Sequence, residues 1–301
     1  MDYISFRIKF VKSIKSVFGI SNMTLFLRRQ KDRFGRLFYK KTYTADDIIE
    51  TLRQIGVQPG HPLIVHSSMH NFYNYRGTAE ELIDKLIDFL GPDGTLCMPS
   101  YPYDKNNNNI IFDTRFDKSA AGFLSETFRK RPGVKRSVNH LHSVCAFGKD
   151  AQRITGEHHL SRICFDKHSP FYIIGQLGGY SVNLGMPKWF VGTGGHVCEA
   201  LLYDRLNYFK DKFTQEVTFS CINEEGKEIK QTMLTKTKNP YVRNKNTYLF
   251  DKYFDKSKYR RIHLSNLWIT AYDMKYLYNR LSELALKGIV IYKYPIFYNN
   301  D

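Results

Sequence analysis

Thr78-Ala79-Glu80-Glu81-Leu82-Ile83-Asp84-Lys85-Leu86-Ile87-Asp88-Phe89-Leu90-Gly91 is the stretch whose reading decides the fold. Thr78 and Glu81 have the Thr-x-x-Glu spacing of a capping box, in which each side chain satisfies a backbone N–H of the first helical turn. Leu82, Ile83, Leu86, Ile87 and Leu90 then recur at helical spacing and form one apolar stripe, which Gly91 ends. A short apolar run lies on either side, Leu63-Ile64-Val65 before and Thr95 to Met98 after, and both read as buried strands. Strand, helix and strand in this order predict a sheet covered by helices.

The same rhythm extends outward. Thr44 with Asp47 caps a preceding helix whose buried face is Ile48, Ile49, Leu52 and Ile55, ending at Gly56. Downstream come a helix around Ala120–Lys130, a strand at Ser143–Phe147, a helix after Lys149, a strand at Tyr180–Leu184 and a helix over His196–Phe209. Gln215–Ile222 and Lys227–Leu234 flank Asn223-Glu224-Glu225-Gly226, which reads as a β-hairpin. Residues 236–262 are polar, basic and tyrosine-rich and read as a surface excursion. Thr270–Lys287 reads as a helix, Ile289–Tyr292 as a final strand and Asn106–Asn109 as a loop tip.

The 301 residues suffice for a large core. No run of eighteen apolar residues is present, so no transmembrane span is expected, and the first residues lack the pattern of a secretory signal. Five cysteines, an odd number without paired metal spacings, read as free cytosolic thiols, with no metal site. The formal net charge is +16, and residues 1–41 carry +9 of it. Such a balance attracts phosphates, nucleotide-linked molecules, anionic membrane or nucleic acid, and repels polycations. Within 1–41, Ile4, Ile8, Val11, Ile14 and Phe18 suggest an amphipathic helix. It reads either as docking on an anionic membrane or as packing on the chain's own domain or a second subunit. The basic, tyrosine-rich run Lys236–Arg261 could stack bases, but no recognition motif accompanies it, so nucleic acid is not the expected partner.

Chemistry concentrates at strand ends. Arg136-Ser137-Val138-Asn139-His140-Leu141-His142-Ser143 places two imidazoles directly before a strand, and imidazole is the side chain best matched to moving protons near neutral pH. Val65-His66-Ser67-Ser68-Met69 ends one strand, and Arg76-Gly77-Thr78 opens the next helix. Hydroxyls and free amides at such junctions bind phosphate or carbonyl oxygens. Met98-Pro99-Ser100-Tyr101 closes the next strand similarly. His196-x-x-Glu199 puts imidazole and carboxylate on one helix face, either as a base with its orienting partner or as a local surface pair.

Taken in order, these segments resemble the aminoglycoside 3-N-acetyltransferase family, also called antibiotic N-acetyltransferases. The matching pieces begin with Gly56-Val57-x-Pro59-Gly60, Val65-His66-Ser67-Ser68, Leu90-Gly91-Pro92-Asp93-Gly94-Thr95-Leu96 and Met98-Pro99-Ser100-Tyr101. They continue with Arg131-Pro132-Gly133-Val134-x-Arg136-Ser137, His142-Ser143-Val144, Phe165-x-x-x-Ser169-Pro170 and Gly192-Thr193-x-x-His196-x-x-Glu199. The similarity runs from about Thr44 to about Leu206. It implies a single α/β/α domain with a central mixed sheet over 44–301, a hairpin insertion near 215–235 and a basic helical extension over 1–43.

It also implies acyl transfer from acetyl-CoA, or another acyl-CoA, to an amine on a sugar; with the free thiols and no metal spacing the expected setting is the cytoplasm, without a metal. His66, Ser67, Ser68, Met69, Arg76, Pro99, Ser100 and Tyr101 are the expected cofactor side. The resemblance further implies a base from a pattern like Arg-Ser-x-His-Pro-x-x-Ser, assisted by the glutamate of His-x-x-Glu. This chain has Asn139 at the position of that histidine and His140 at the proline, and Asn cannot accept a proton. His142 or His140 is therefore expected to act as base with Glu199, and His196 beside them. The alternative is a protein that keeps the fold without catalysis. Asn139, Asp166, His168 and Glu126 are the acceptor-side candidates. The positive charge favours an amino sugar carried on a nucleotide or lipid phosphate for a surface polysaccharide. A free aminoglycoside is the alternative, accommodated if Asp166, Glu126, Glu199 and Asp204 form a local acidic pocket.

Overall fold

A computed structural model describes residues 23–103, 111–187, 190–236, 242–243 and 248–293. The expected helix through Ile4–Phe18 and the Asn106–Asn109 tip lie outside them. Both predicted capping boxes form. Thr44 and Asp47 open α2 (Ala45–Gln54), and Thr78 and Glu81 open α3 (Ala79–Leu90). Before them stands α1 (Met23–Phe38), held to the domain by Arg36, which donates to the Tyr73 carbonyl at 2.6 Å.

The central sheet has seven strands: β1 (Pro62–Ser67), β2 (Thr95–Pro99), β4 (Lys135–Arg136), β5 (Val144–Gly148), β6 (Tyr180–Leu184), β10 (Tyr259–Leu264) and β11 (Leu267–Asp273). Their order is β10-β11-β6-β1-β2-β5-β4. β1 is parallel to both β2 and β6, while the flanking strands run antiparallel, so the sheet is mixed as expected.

Alternation along β1 separates two core layers. Leu63 and Val65 face one layer with Leu82, Ile83, Leu86 and Leu90 of α3 and Leu124 and Phe128 of α4 (Phe123–Arg129). Ile64 faces the other with Ile154 of α5 (Ala151–Thr155) and Phe171 and Ile174 of α6 (Pro170–Gln176). Each Leu or Ile buried in these layers contributes roughly 1.5–3 kcal/mol.

The hairpin forms as β7 (Phe213–Ile222) and β8 (Glu228–Lys236), with β3 (Ile111–Asp113) added parallel to β7. Asn223 closes its turn by accepting from the Glu225 and Lys227 amides.

Three expectations are corrected. Thr270 does not begin a helix: residues 267–273 are β11, because Leu267, Ile269 and Ala271 alternate into one core layer and Asp273 caps the helix that follows. Residues 236–262 are not simply a surface excursion. Leu249, Phe250 and Phe254 are buried, and Tyr259 stacks on Tyr272 at 5.0 Å, so aromatic side chains there build core. The helix expected over His196–Phe209 breaks into a 3-10 turn at Thr193–His196, α7 (Val197–Leu201) and α8 (Asn207–Lys210). α9 (Tyr248–Tyr253) and α10 (Met274–Ala285) complete the helices, and Tyr292–Lys293 pairs with Val242–Arg243 away from the central sheet. All five cysteines are buried free thiols.

Candidate active site

The sheet directs three segments to one edge. β1 ends at Ser67 and β2 at Pro99. Because β5 is antiparallel to β2 with Val144 opposite Pro99, the turn entering β5 reaches the same edge. The Ser100 amide donates to the Ser143 carbonyl at 2.7 Å and ties the two together. Arg136 lies beneath, stacked over Phe112 at 4.7 Å, and donates to the Ser100, Thr114 and Asp117 carbonyls. Burial lowers its pKa to about 10.

Asn139 is fully buried within this turn. Its Oδ1 accepts from the Leu141 amide at 3.2 Å and the His142 amide at 2.9 Å, while its amide group meets Met233 Sδ at 3.2 Å. It is the anchor of the turn rather than an acceptor-side group. His142 projects from the turn into a cleft shared with His66, Ser67, Pro99, Tyr101, Thr193 and His196. His140 points elsewhere: it stacks on Phe219 at 4.6 Å and lines a second hollow with Tyr103 and Phe116.

His196 carries the arrangement best suited to moving a proton. Its Nδ1 lies 2.9 Å from Glu199 Oε1, the helical spacing bringing the two together across one turn. The Glu199 side chain is 2% exposed, and the equally buried Lys212 ammonium contacts the same Oε1. A carboxylate accepting from Nδ1–H leaves Nε2 as the nitrogen able to take a proton. The Phe165 ring contacts both cleft histidines, its centre 5.0 Å from that of His196 and 4.6 Å from that of His142.

His66 has a different part. Its Nε2 accepts from the Thr193 amide at 3.2 Å and sits 3.0 Å from the Thr193 hydroxyl. Burial lowers its pKa to about 3, so it is a neutral strut between β1 and the 3-10 turn.

Other candidates do not meet the cleft. Ser68 is held by its amide donating to the Leu184 carbonyl at 2.9 Å, so that N–H is already used, and Met69 opens the 3-10 turn after β1. Arg76 is exposed and Ser100 is buried behind the strand end. Asp166 caps a local turn, accepting from Ser161, Arg162 and His168, and His168 pairs with Glu157 at 3.0 Å. Glu126 is bound in a fork by Arg129 and by the Ser119 amide; the Arg129 hydrogen bonds hold its carboxyl down to about 2. Asp204 is exposed. The local acidic pocket therefore does not assemble from these four carboxylates. Sequence reasoning misses Lys212 and Phe165 as parts of the site: Lys212 ends a polar Lys-Asp-Lys run, and nothing in its neighbours signals burial. Among the described residues, no group of three His, Cys, Asp or Glu could hold a metal, and no helix is long and apolar enough to cross a membrane.

The structure is thus an α/β fold, a mixed sheet between helix layers with an imidazole–carboxylate pair in a cleft at its strand ends. The family model for aminoglycoside 3-N-acetyltransferase matches residues 64–285, and the chain belongs to that family. It is 31% identical over 176 residues to aminoglycoside N(3)-acetyltransferase III of Acinetobacter baumannii, covering 53% of this chain and 61% of that enzyme. The match to the SPbeta prophage-derived aminoglycoside N(3')-acetyltransferase-like protein YokD of Bacillus subtilis (strain 168) is 28% over 138 residues, covering 39% and 51%. The matched region thus spans about three-fifths of the first relative and half of the second. Among solved structures, a histidine-to-alanine variant of AAC(3)-IVa in complex with a gentamicin superposes at a TM-score of 0.68, 22% identity, over 85% of this chain and 93% of that one. AAC-IIIb with CoASH superposes at 0.68, 17% identity, over 85% and 100%. At these identities the structural likeness speaks for the fold.

Proposed function

We propose that the chain is an acyl-CoA-dependent N-acetyltransferase that acylates an amine of an aminoglycoside-type amino sugar, with His196 as general base. The observation that carries this reading is the His196 imidazole, tied through Nδ1 to a buried carboxylate and lining the cleft where β1 and β2 end.

A sugar ammonium must lose a proton before its nitrogen attacks a thioester. His196 Nε2 takes that proton, and Glu199 stabilises the imidazolium that forms; a positioned base of this kind supplies roughly 10²–10⁴-fold. Acetyl-CoA supplies the activated acyl group: as the C–N bond forms the C–S bond breaks, and CoA leaves as its thiol with the second proton lost by the attacking nitrogen. The base expected from the turn before β5 is replaced in this reading by His196, because Asn139 is a buried anchor and His140 faces another hollow. His142 remains in the cleft, packed on Phe165. Retained catalysis then requires no histidine at position 139.

The curated relatives favour an aminoglycoside acceptor over the anion-linked amino sugar suggested by net charge. One observation keeps the latter as a second reading: Glu126, Asp166 and Glu199 are each committed to protein partners, which leaves them poorly placed to bind a polycation. Purified protein with acetyl-CoA should be offered aminoglycosides and nucleotide-linked amino sugars side by side, with thiol release and product mass as readouts. Aminoglycoside acetylation supports the first reading, and preference for the anionic sugars supports the second. Acetyl-CoA binding without transfer to any amine overturns both.

A further inference from the structure

We infer that the outer face of α1, together with the β10–β11 turn beside it, is a docking surface for an anionic lipid bilayer. It shares no residue with the lining of the cleft. α1 meets the rest of the protein along one side. Gly35 lies against the Tyr73 ring, where a Cβ would collide with the phenol, and the Arg36 guanidinium sits over that ring at 5.7 Å. Phe34, Leu37 and Phe38, at i, i+3 and i+4, share a different face of the helix. They are 66%, 66% and 77% exposed. A contiguous group of large apolar side chains in water marks an interaction surface.

The surface continues past the helix end. Tyr39, 37% exposed, has its ring 6.0 Å from that of His263, and His263 contacts Trp268, 38% exposed, directly opposite it on β11. Two hydrogen bonds fasten this junction: Asn74 donates to the Tyr39 carbonyl at 2.6 Å, and the Ser265 hydroxyl donates to the Lys41 carbonyl. The exposed rings are therefore held on a fixed frame. That frame stands at the same end of the sheet as the cleft. Leu184, the last residue of β6, lies opposite Ile269, so the turn before Leu267 projects beyond the end of β6, and β6 runs parallel to β1.

Charge selects the occupant. Residues 23–41 hold seven basic side chains against one acidic, and Arg33, Lys40 and Lys41, next to the apolar residues in sequence, are exposed. Phe and Leu flanked by Arg and Lys, with Tyr and Trp at the margin, is the composition of a helix lying in the headgroup region of a membrane. There the apolar side chains reach the acyl boundary, and each basic side chain near an anionic leaflet strengthens binding about fivefold. A second copy would bring this same positive surface against itself, which like-charge repulsion opposes in a protein of net charge +16. Nucleic acid would match the charge but offers an aliphatic side chain such as Leu37 little to bury against.

The test is co-sedimentation of the full chain with vesicles of equal parts phosphatidylcholine and phosphatidylglycerol, and with vesicles of phosphatidylcholine alone. The protein should partition onto the anionic vesicles roughly tenfold or more better than onto the neutral ones, and should lose that advantage as salt rises. F34S/L37S/F38S keeps every charge and should lower partitioning roughly tenfold or more. K40Q/K41Q keeps the apolar face and should lower it by a similar factor. All three apolar side chains are exposed, so circular dichroism and the thermal midpoint should not move in the triple variant. Should that variant fail to fold, F38S and K40Q/K41Q are read instead. No binding to either vesicle, equal binding to both, or substitutions that leave partitioning unchanged overturn the inference. A lipid-free dimer that the triple variant converts to monomer also overturns it and gives the face to a second copy. Retention on a single-stranded oligonucleotide that the triple variant loses overturns it in favour of nucleic acid.

Discussion

Replacing Asn139 by histidine separates two accounts of this site. By family resemblance position 139 should hold the base, so Asn139→His would restore a missing catalyst and raise kcat by roughly 10²–10⁴-fold. In the structure that side chain is fully buried, and its Oδ1 accepts two amides of the turn at 3.2 and 2.9 Å. An imidazole there has one acceptor nitrogen for two donors, so N139H should leave kcat within about tenfold of wild type and cost some stability. N139A removes the acceptor outright. Leaving buried donors unmatched costs about 1–3 kcal/mol each, and since Leu141 and His142 are only half-buried the total should be about 2–3 kcal/mol. Urea denaturation gives that loss and steady-state kinetics gives the rate. A hundredfold rise in kcat for N139H that survives in an H196A background would refute the assignment of His196 as base.

Three other outcomes follow from the same geometry. H196A should lose roughly 10²–10⁴-fold in kcat with CoA affinity unchanged by calorimetry, and retention of more than a tenth of the rate would remove His196 from the reaction. H140A should stay within about twofold in rate and lose about 0.5–1.5 kcal/mol from its stack on Phe219, whereas H142A should shift KM for the acceptor; the reverse pattern would place the acceptor in the second hollow. His66 and His158 are both lowered to about 3 by burial, whereas the unfolded chain protonates them near 6.5. Each therefore contributes stability that is full above pH 6.5 and lost as pH falls toward 3, at about 1.4 kcal/mol per unit. Together they should remove about 4 kcal/mol between pH 7 and 5, and a urea midpoint unchanged over that interval would show that neither is held neutral.

The sheet's centre is legible because its elements carry local signals. Capping boxes at Thr44 and Thr78 and the apolar stripe of α3 specify helices without help from the rest of the chain, and Tyr180–Leu184 falls where its pattern puts it. Residues 270–273 read as helix because Leu267, Ile269 and Ala271 are followed at once by Met274, Leu277, Tyr278 and Leu281, and a short strand running into a helix blends the two periods. At the site, His196-x-x-Glu199 is visible as a pair, since helical spacing alone brings imidazole and carboxylate together. Two facts are not. Whether Asn139 is a failed base or a turn anchor depends on the Leu141 and His142 amides folding back on it. That Lys212 reaches Glu199 depends on how the chain turns back between α7 and β7, which no local pattern encodes.

The position of the cleft follows from topology more than from any motif. From β1 the chain crosses to β2 through α3, on the face of Leu63 and Val65. It comes to β6, on the other side of β1, through α6 on the face of Ile64. Crossovers to opposite faces part at the carboxyl end of β1, where the backbone leaves a crevice that neither helix layer covers. His66 and Ser67 stand at that point. β5, antiparallel to β2, brings the turn with His142 to one side of the crevice. The residues after β6 bring Thr193 and His196 to the other, where Thr193 is fastened to His66 Nε2 by both its amide and its hydroxyl. His196, the proposed base, is placed at the strand ends because His66 holds the Thr193 start of its turn while Glu199 Oε1 meets its Nδ1. On the proposed reading a histidine at 139 is not needed: the Asn139 side chain is turned to Met233 Sδ and is not part of the cleft lining.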